Sequence, residues 1–297
     1  MTNQQQTDQI SAGNGFIAAL DQSGGSTPKA LRLYGVEENA YKSEEEMFGM
    51  IHDMRARIIK SPSFDGSRVL GAILFERTMD STIDGTPTAN YLWNECNVVP
   101  FLKVDKGLQE PTNGVQMLKP MPELDSLLDK AVNNGIYGTK MRSVISAASA
   151  QGIADVVAQQ FEVGKQILSH GLVPIIEPEV TISIEDKAEA EQILLAETLK
   201  QLDALPQGQE VILKLTLPEV ANTYQPLVEH PAVIRVVALS GGYCRTEANQ
   251  RLAQNSGIIA SFSRALSEGL SAQQDDSSFD STLNNSVQSI YEASLAG

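Results

Sequence analysis

The run VILKLTLPE, residues 211–219, places one lysine, Lys214, among aliphatic residues that otherwise read as a buried strand. Removing an ammonium group from water is costly even after its surroundings relax, so such a lysine is either compensated by a partner or held for its neutral form. The neutral form has chemistry: an amine kept dry and close to another cation, here Lys140, is a nucleophile toward a carbonyl. The product is a Schiff base whose protonated iminium withdraws electrons and lets the carbon–carbon bond beyond it break. A retro-aldol step of that kind also needs groups that take a proton from a hydroxyl and manage the carbinolamine water. Glu177, Glu179 and Asp21 are carboxylates that can do both.

Spacing gathers these groups. Residues two apart on a strand share a face, so Lys140 with Arg142 in YGTKMRSV, and Glu177 with Glu179 in VPIIEPEV, each put two charges on one side. Taken singly, each charge is as well explained by a buried ion pair. Taken together, Lys103, Lys140, Arg142, Lys214 and Arg264 all fall at the ends of predicted strands, as do Asp21, Glu76 and Ser240, and convergence there favours an anionic ligand. LSGG, residues 239–242, offers glycine amides that can cradle a phosphate through Ser240, Gly241 and Gly242, with Arg264 completing the cradle. DQSGGS, residues 21–26, suggests a second anion site built from Ser23, Ser26 and Lys103.

The elements that position these groups read as eight apolar runs: FIAALDQS from 16, VLGAILFE from 69, VVPFLKVD from 98, YGTKMRSV from 137, VPIIEPEV from 173, VILKLTLP from 211, VIRVVALS from 233 and IIASFSRA from 258. Helical periodicity predicts helices over 44–60, 123–134, 155–170, 183–204 and 246–255, with SIED at 183–186 as a capping box and Gly171 as a C-terminal cap. Those after the second and sixth strands are weak. Eight near-continuous apolar strands alternating with helices predict an α/β protein of the (β/α)8 TIM-barrel class, a single domain over 1–297 with the barrel at about 15–270 and a helical tail at 271–297. An open doubly wound sheet competes, but no G-x-G-x-x-G follows the first strand. In a barrel of this kind reactive groups lie at the C-terminal strand ends, where the charges fall.

Composition narrows the partners. The 297 residues carry 22 lysines plus arginines against 37 acids, a formal charge of −15, which argues against nucleic acid and anionic membrane surfaces. No apolar run suits a signal peptide or a membrane span, and the expected compartment is cytoplasmic. Cys96 and Cys244 lack paired metal-ligand spacing, and His52, His170 and His230 lie far apart, so a histidine-rich zinc site is not expected; with an iminium to do the polarising, neither a metal nor an organic cofactor is needed. The acidic SEEEM run reads as a solvated first helical turn, Tyr91 and Trp93 as packing beside the second strand, and His170 and His230 as surface residues.

The segments AALDQSGGS, GAILFERTMD, LKVDKG, GTKMRSV, LVPIIEPEV, VILKLTLP, ALSGG and ASFSRAL together resemble the class I, Schiff-base fructose-bisphosphate aldolases, from about residue 15 to 270, in their compact bacterial form. The resemblance implies that Lys214 is the imine lysine, Glu177 the general acid/base and Glu179 its acidic neighbour. It further implies that Lys140 and Arg142 are the adjoining cations and Asp21 the aspartate of carbon–carbon cleavage. Ser240, Gly241, Gly242 and Arg264 would hold the phosphate of the dihydroxyacetone half; Ser23, Ser26 and Lys103 would lie near the other, with Lys29 peripheral. The chain departs from the animal-type pattern at Ala30, where those enzymes carry a phosphate-binding arginine, and in SFSR, which replaces SYGR. It ends in YEASLAG, so no role passes to Tyr291. The implied activity is reversible cleavage of fructose 1,6-bisphosphate in glycolysis and gluconeogenesis. Left open beside it are another ketose bisphosphate, such as tagatose or sedoheptulose, and a barrel that binds a sugar phosphate without turnover. Oligomeric state is not legible in the sequence.

Overall fold

A computed structural model describes residues 4–23 and 25–297. Eight parallel strands follow one another in chain order around a barrel: β1 (Phe16–Leu20), β2 (Val69–Leu74), β3 (Val99–Lys103), β4 (Gly138–Ile145), β5 (Val173–Val180), β6 (Val211–Thr216), β7 (Val233–Leu239) and β8 (Ile258–Ala260). Each pairs with the next in parallel. The ring is joined where the Ala19 amide of β1 donates to the Phe262 carbonyl just past β8, at 3.0 Å. Strands flanked on both faces must be apolar throughout, which is why β1 and β2 are buried at every position.

Inward residues form layers, as expected of such a barrel. Phe101 fills the lower interior, and Gly71 and Gly138 leave room for its ring: a Cβ on either would sit 2.9–3.0 Å from it. Beneath lies α1 (Gln4–Ala12), which plugs the N-terminal mouth with Ile10 and is anchored by Arg235 of β7, donating to the carbonyls of Ile10 and Gly13 at 3.0 and 3.1 Å. The helices outside include α2 (Thr27–Leu33), α3 (Glu44–Lys60), α4 (Leu124–Asn133), α5 (Ala150–Ser169), α6 (Lys187–Asp203), α7 (Arg245–Leu252) and α8 (Asp276–Leu295). The tail helix α8 buries Phe279, Leu283, Val287 and Ile290, and its Ser294 hydroxyl accepts from the Ala260 amide of β8 at 3.1 Å.

Several expectations shift in detail. The SEEEM turn does more than face water: Ser43 Oγ accepts from the Glu46 amide at 3.1 Å while the Glu46 carboxylate accepts from the Lys42 amide at 2.6 Å, a cap that closes on itself. SIED forms no capping box, because Asp186 instead accepts from the Ala148 amide at 2.7 Å and ties the loop after β4 to α6. α5 begins at Ala150, five residues ahead of the predicted start, under a Ser149 cap. β8 stops at Ala260, and SFSRA leaves the strand for a short turn of helix, Arg264–Ser267. The connections after β2 and β6 are short helices, Glu76–Met79 with Thr88–Asn94, and Gln225–Val228.

Candidate active site

Parallel register sets the reactive side chains at neighbouring heights. Lys140 pairs with Lys103 on one side and Ile175 on the other, Arg142 pairs with Glu177, and Lys214 pairs with Val237. All point into the C-terminal mouth, where a cavity of about 340 Å3 is lined by Asp21, Lys103, Lys140, Arg142, Glu177, Glu179, Lys214, Arg264 and their neighbours. Glu76 does not join them. It opens the short helix after β2 and pairs on the rim with Lys106 at 2.8 Å and Lys130 at 3.4 Å, because the chain turns out of the strand two residues earlier than predicted.

At the floor of the cavity the charges form a chain. Lys140 Nζ lies 2.6 Å from Asp21 Oδ2 and 3.0 Å from Glu177 Oε2, and Glu177 Oε1 lies 3.1 Å from Lys214 Nζ. Glu177 therefore separates the two lysines that the sequence placed side by side. Burial on its own would lower the Lys140 ammonium, but Asp21, Glu177 and Asp105 outweigh it and hold that group well above the usual lysine range. Burial would likewise raise Asp21; Lys140, Lys214 and Lys103 prevail and hold its carboxyl well below the usual range. Higher in the mouth Glu179 pairs with Arg142 at 2.8 Å.

The two expected phosphate ends differ. At one, the Tyr243 amide donates to the Ser240 carbonyl at 2.9 Å, closing a turn with Gly241 and Gly242 at φ +61° and +124°. Gly241 is required there on two counts, since a Cβ would stand 2.6 Å from the Ile182 side chain. A Cβ on Gly242 would lie 3.8 Å from the Arg264 guanidinium, so turn and cation are adjacent. At the other end Ser23, Ser26 and Lys29 line the cavity. Ser26 Oγ is engaged with Ser23, accepting from its amide and donating to its carbonyl at 3.1 Å each, and Lys103 donates to the Asp105 carbonyl and carboxylate at 2.8 and 2.7 Å. Gly24 lies outside the described residues. Among the described residues that line the cavity, Arg264 and Lys29 are the cations without a carboxylate partner.

Sequence reasoning passed over the residues that hold these groups in place. Asp105 clamps Lys103 and accepts from the Arg142 amide at 3.3 Å. Arg55 of α3, 1% exposed and lowered by burial to about 10, donates to the Gln22 carbonyl and to Thr78 Oγ1; Gln22 in turn donates to Ser263 at 2.8 Å, joining the ends of β1 and β8. Ser263 of SFSR, the departure from SYGR noted in the sequence, is thus a hydrogen-bond acceptor for the Asp21 loop. Ser261 lines the cavity with its hydroxyl unpartnered. The available signal was a polar residue at a core position, as with Arg55 between Ile51 and Ile58 in α3. The histidines lie elsewhere: His52 at the Thr82 carbonyl, His170 between Asp125 and Asp129, His230 at Asp203.

A family profile described as fructose-bisphosphate aldolase class-I, glycolytic, matches residues 3–269. Proteins named fructose-bisphosphate aldolase class 1 from Porphyromonas gingivalis and Clostridium acetobutylicum are each 57% identical over 293 residues, covering 99% of this chain and 99% of theirs. One from Synechocystis sp. is equally identical over 99% of this chain and 98% of its own. Among solved structures, fructose-bisphosphate aldolase from Plasmodium falciparum superposes with a TM-score of 0.79 at 22% identity, covering 98% of this chain and 93% of that one, which supports the barrel fold. With the profile spanning most of the sequence and the relatives matching from end to end, the chain belongs to the class I fructose-bisphosphate aldolase family.

Proposed function

We propose that this protein cleaves fructose 1,6-bisphosphate reversibly to dihydroxyacetone phosphate and glyceraldehyde 3-phosphate through an imine on Lys214. The observation that carries the reading is the buried chain Lys214–Glu177–Lys140–Asp21, in which one carboxylate touches both lysines. Lys214 Nζ adds to the C2 carbonyl after giving up a proton, for which Glu177 Oε1 at 3.1 Å is the nearest carboxylate oxygen. A proton passes from the added nitrogen to the former carbonyl oxygen, Glu177 returns its own proton to the resulting carbinolamine hydroxyl, water leaves, and the iminium forms. Asp21 takes the C4 hydroxyl proton; the C3–C4 bonding pair moves into the iminium as an enamine, and the aldehyde departs. Protonation of the enamine carbon and hydrolysis of the imine release the second product and restore the lysine.

Lys140 acts without titrating. Fixed as a cation between Asp21 and Glu177, it keeps Asp21 ionised and both carboxylates aimed. Arg142, held by Glu179, adds positive charge above the imine. The phosphate of the dihydroxyacetone half lies at Arg264 and the Ser240–Gly242 turn, and the other lies toward Ser23, Ser26, Lys29 and Lys103. A bisphosphate suits a cavity whose unpaired cations, Arg264 and Lys29, stand one at each expected phosphate end. We place the protein in the cytoplasm; no helix of the described residues is long and apolar enough to cross a membrane.

Borohydride reduction in the presence of dihydroxyacetone phosphate, followed by peptide mass mapping, tests the reading. A stable adduct on Lys214 with loss of activity is expected. Ligand binding without any adduct would mean that Lys214 is structural and the imine assignment wrong.

A further inference from the structure

The β5–β6 seam is unlike the β4–β5 seam beside it. β4 and β5 stay in register over eight residue pairs, Gly138 with Val173 through Ile145 with Val180. β5 and β6 pair only at Ile175 with Ile212 and Ile176 with Leu213, and the pairing ends there, with Glu177 the next residue of β5 and Lys214 the next of β6. The ladder thus ends just before the two residues whose contact is central to the site, Glu177 and Lys214. Pro178 follows and has no amide to offer.

Two side chains bond the β5 backbone on either side of Pro178. The Glu177 amide donates to Gln160 Oε1 of α5 at 2.9 Å, and Thr216 Oγ1 of β6 donates to the Val180 carbonyl of β5 at 2.8 Å. Both side chains are fully buried. Gln160 is the one polar side chain among the buried residues of α5, which otherwise are Gly152, Ile153, Val156, Val157, Phe161, Gly164 and Ile167. Among the described residues its Nε2 has no partner. A core that leaves an amide nitrogen unsatisfied forgoes stability a leucine or methionine would give, so the oxygen end is what the position retains.

We propose that Gln160 is a positioning residue for the reaction: its buried carbonyl oxygen holds the Glu177 amide from α5 and so fixes the backbone from which Glu177 reaches Lys214. This rests on the reading of Glu177 and Lys214 given above. A carboxylate displaced by about 1 Å loses on the order of 100-fold in rate when proton transfer depends on its placement. The phosphate-binding residues lie on other loops, so substrate affinity is separable from the effect.

The test compares Gln160→Met, which fills the space without an acceptor, Gln160→Asn, which keeps the amide but is too short to reach, and Gln160→Glu, which keeps an oxygen in place. Steady-state cleavage of fructose 1,6-bisphosphate and borohydride trapping on Lys214 are measured for each beside wild type, with thermal unfolding as the check on folding. The expected result is a kcat lower by roughly 10- to 100-fold for Met and Asn with KM within about twofold, slower trapping in both, and a smaller loss for Glu. If Met fails to fold, the Asn–Glu contrast carries the same comparison. Wild-type kcat and trapping in Asn or in a folded Met variant would overturn the role of Gln160. Absence of a Lys214 adduct in wild type would overturn the imine reading itself, a distinguishable failure.

Discussion

Glu177 divides its two oxygens between Lys140 and Lys214, and Lys140 divides itself between Glu177 and Asp21. Removing Lys140 leaves two buried carboxylates without their shared cation, the arrangement in which loss of one partner costs about 3–5 kcal/mol. Lys140→Met is therefore expected to lower unfolding stability at pH 7 by roughly that amount, as read by urea denaturation. The pH dependence has a definite sign. Asp21 is lowered from 3.8 in the folded state, so its contribution is present above that pH and is lost as pH falls through the folded value. Lys140 is raised from 10.5, so its contribution is full below that pH and is lost as pH rises through the folded value. The deficit of the variant should be greatest between these limits and shrink under acid; an equal deficit at pH 2 would show that packing, not charge, is what Lys140 supplies. Lys214, Lys140 and Glu177 were legible because a charge in an aliphatic strand is costly and conspicuous. Arg55 and Gln160 fall on the apolar faces of their helices, so their burial could be read from spacing; what each bonds could not, because those partners lie on other elements.

Elements with strong patterning appear where the sequence places them, and those that depend on distant partners do not. β5 spans Val173–Val180 as predicted, because apolar residues run up to the charged pair and Gly171 ends the preceding helix at φ +76°. β8 is shorter than its apolar run because SFSRA serves both ladder and site: the Ser261 amide and Phe262 carbonyl still bond β7 and β1, while Ser263 accepts from Gln22 and Ser261 lines the cavity. α1 went unread because QQQTDQISA has almost no apolar face; Arg235, Gln9 and Tyr137 hold it through contacts to residues remote in sequence. That attachment makes a prediction confined to one element. Arg235→Met removes the donors to Ile10 and Gly13, so hydrogen exchange in α1 should accelerate at least about tenfold while kcat stays within about twofold. Matching loss of activity would mean that the plug and the catalytic mouth are coupled through the barrel interior.

The whole molecule is strongly anionic, with a charge of −15, yet its substrate is expected to be a polyanion. Most cations that line the cavity are paired with carboxylates, and among the described residues there Arg264 and Lys29 are not, so these two are the ones expected to meet phosphate. The two fields act at different ranges. Repulsion by the net charge reaches far and is the first to be screened as salt is added, because the Debye length shrinks from about 30 Å at 0.01 M to about 10 Å at 0.1 M. Attraction at Arg264 and Lys29 acts at contact and survives until higher salt. For cleavage of fructose 1,6-bisphosphate, kcat/KM is thus expected to rise between about 0.01 and 0.1 M ionic strength and to fall beyond about 0.3 M. Arg264→Ala should lower kcat/KM throughout and flatten the falling limb, since the contact that high salt weakens is gone. A monotonic fall from the lowest salt in the parent protein would instead mean that the cavity's own field governs approach at every distance, and that the acidic exterior is electrostatically invisible to the ligand.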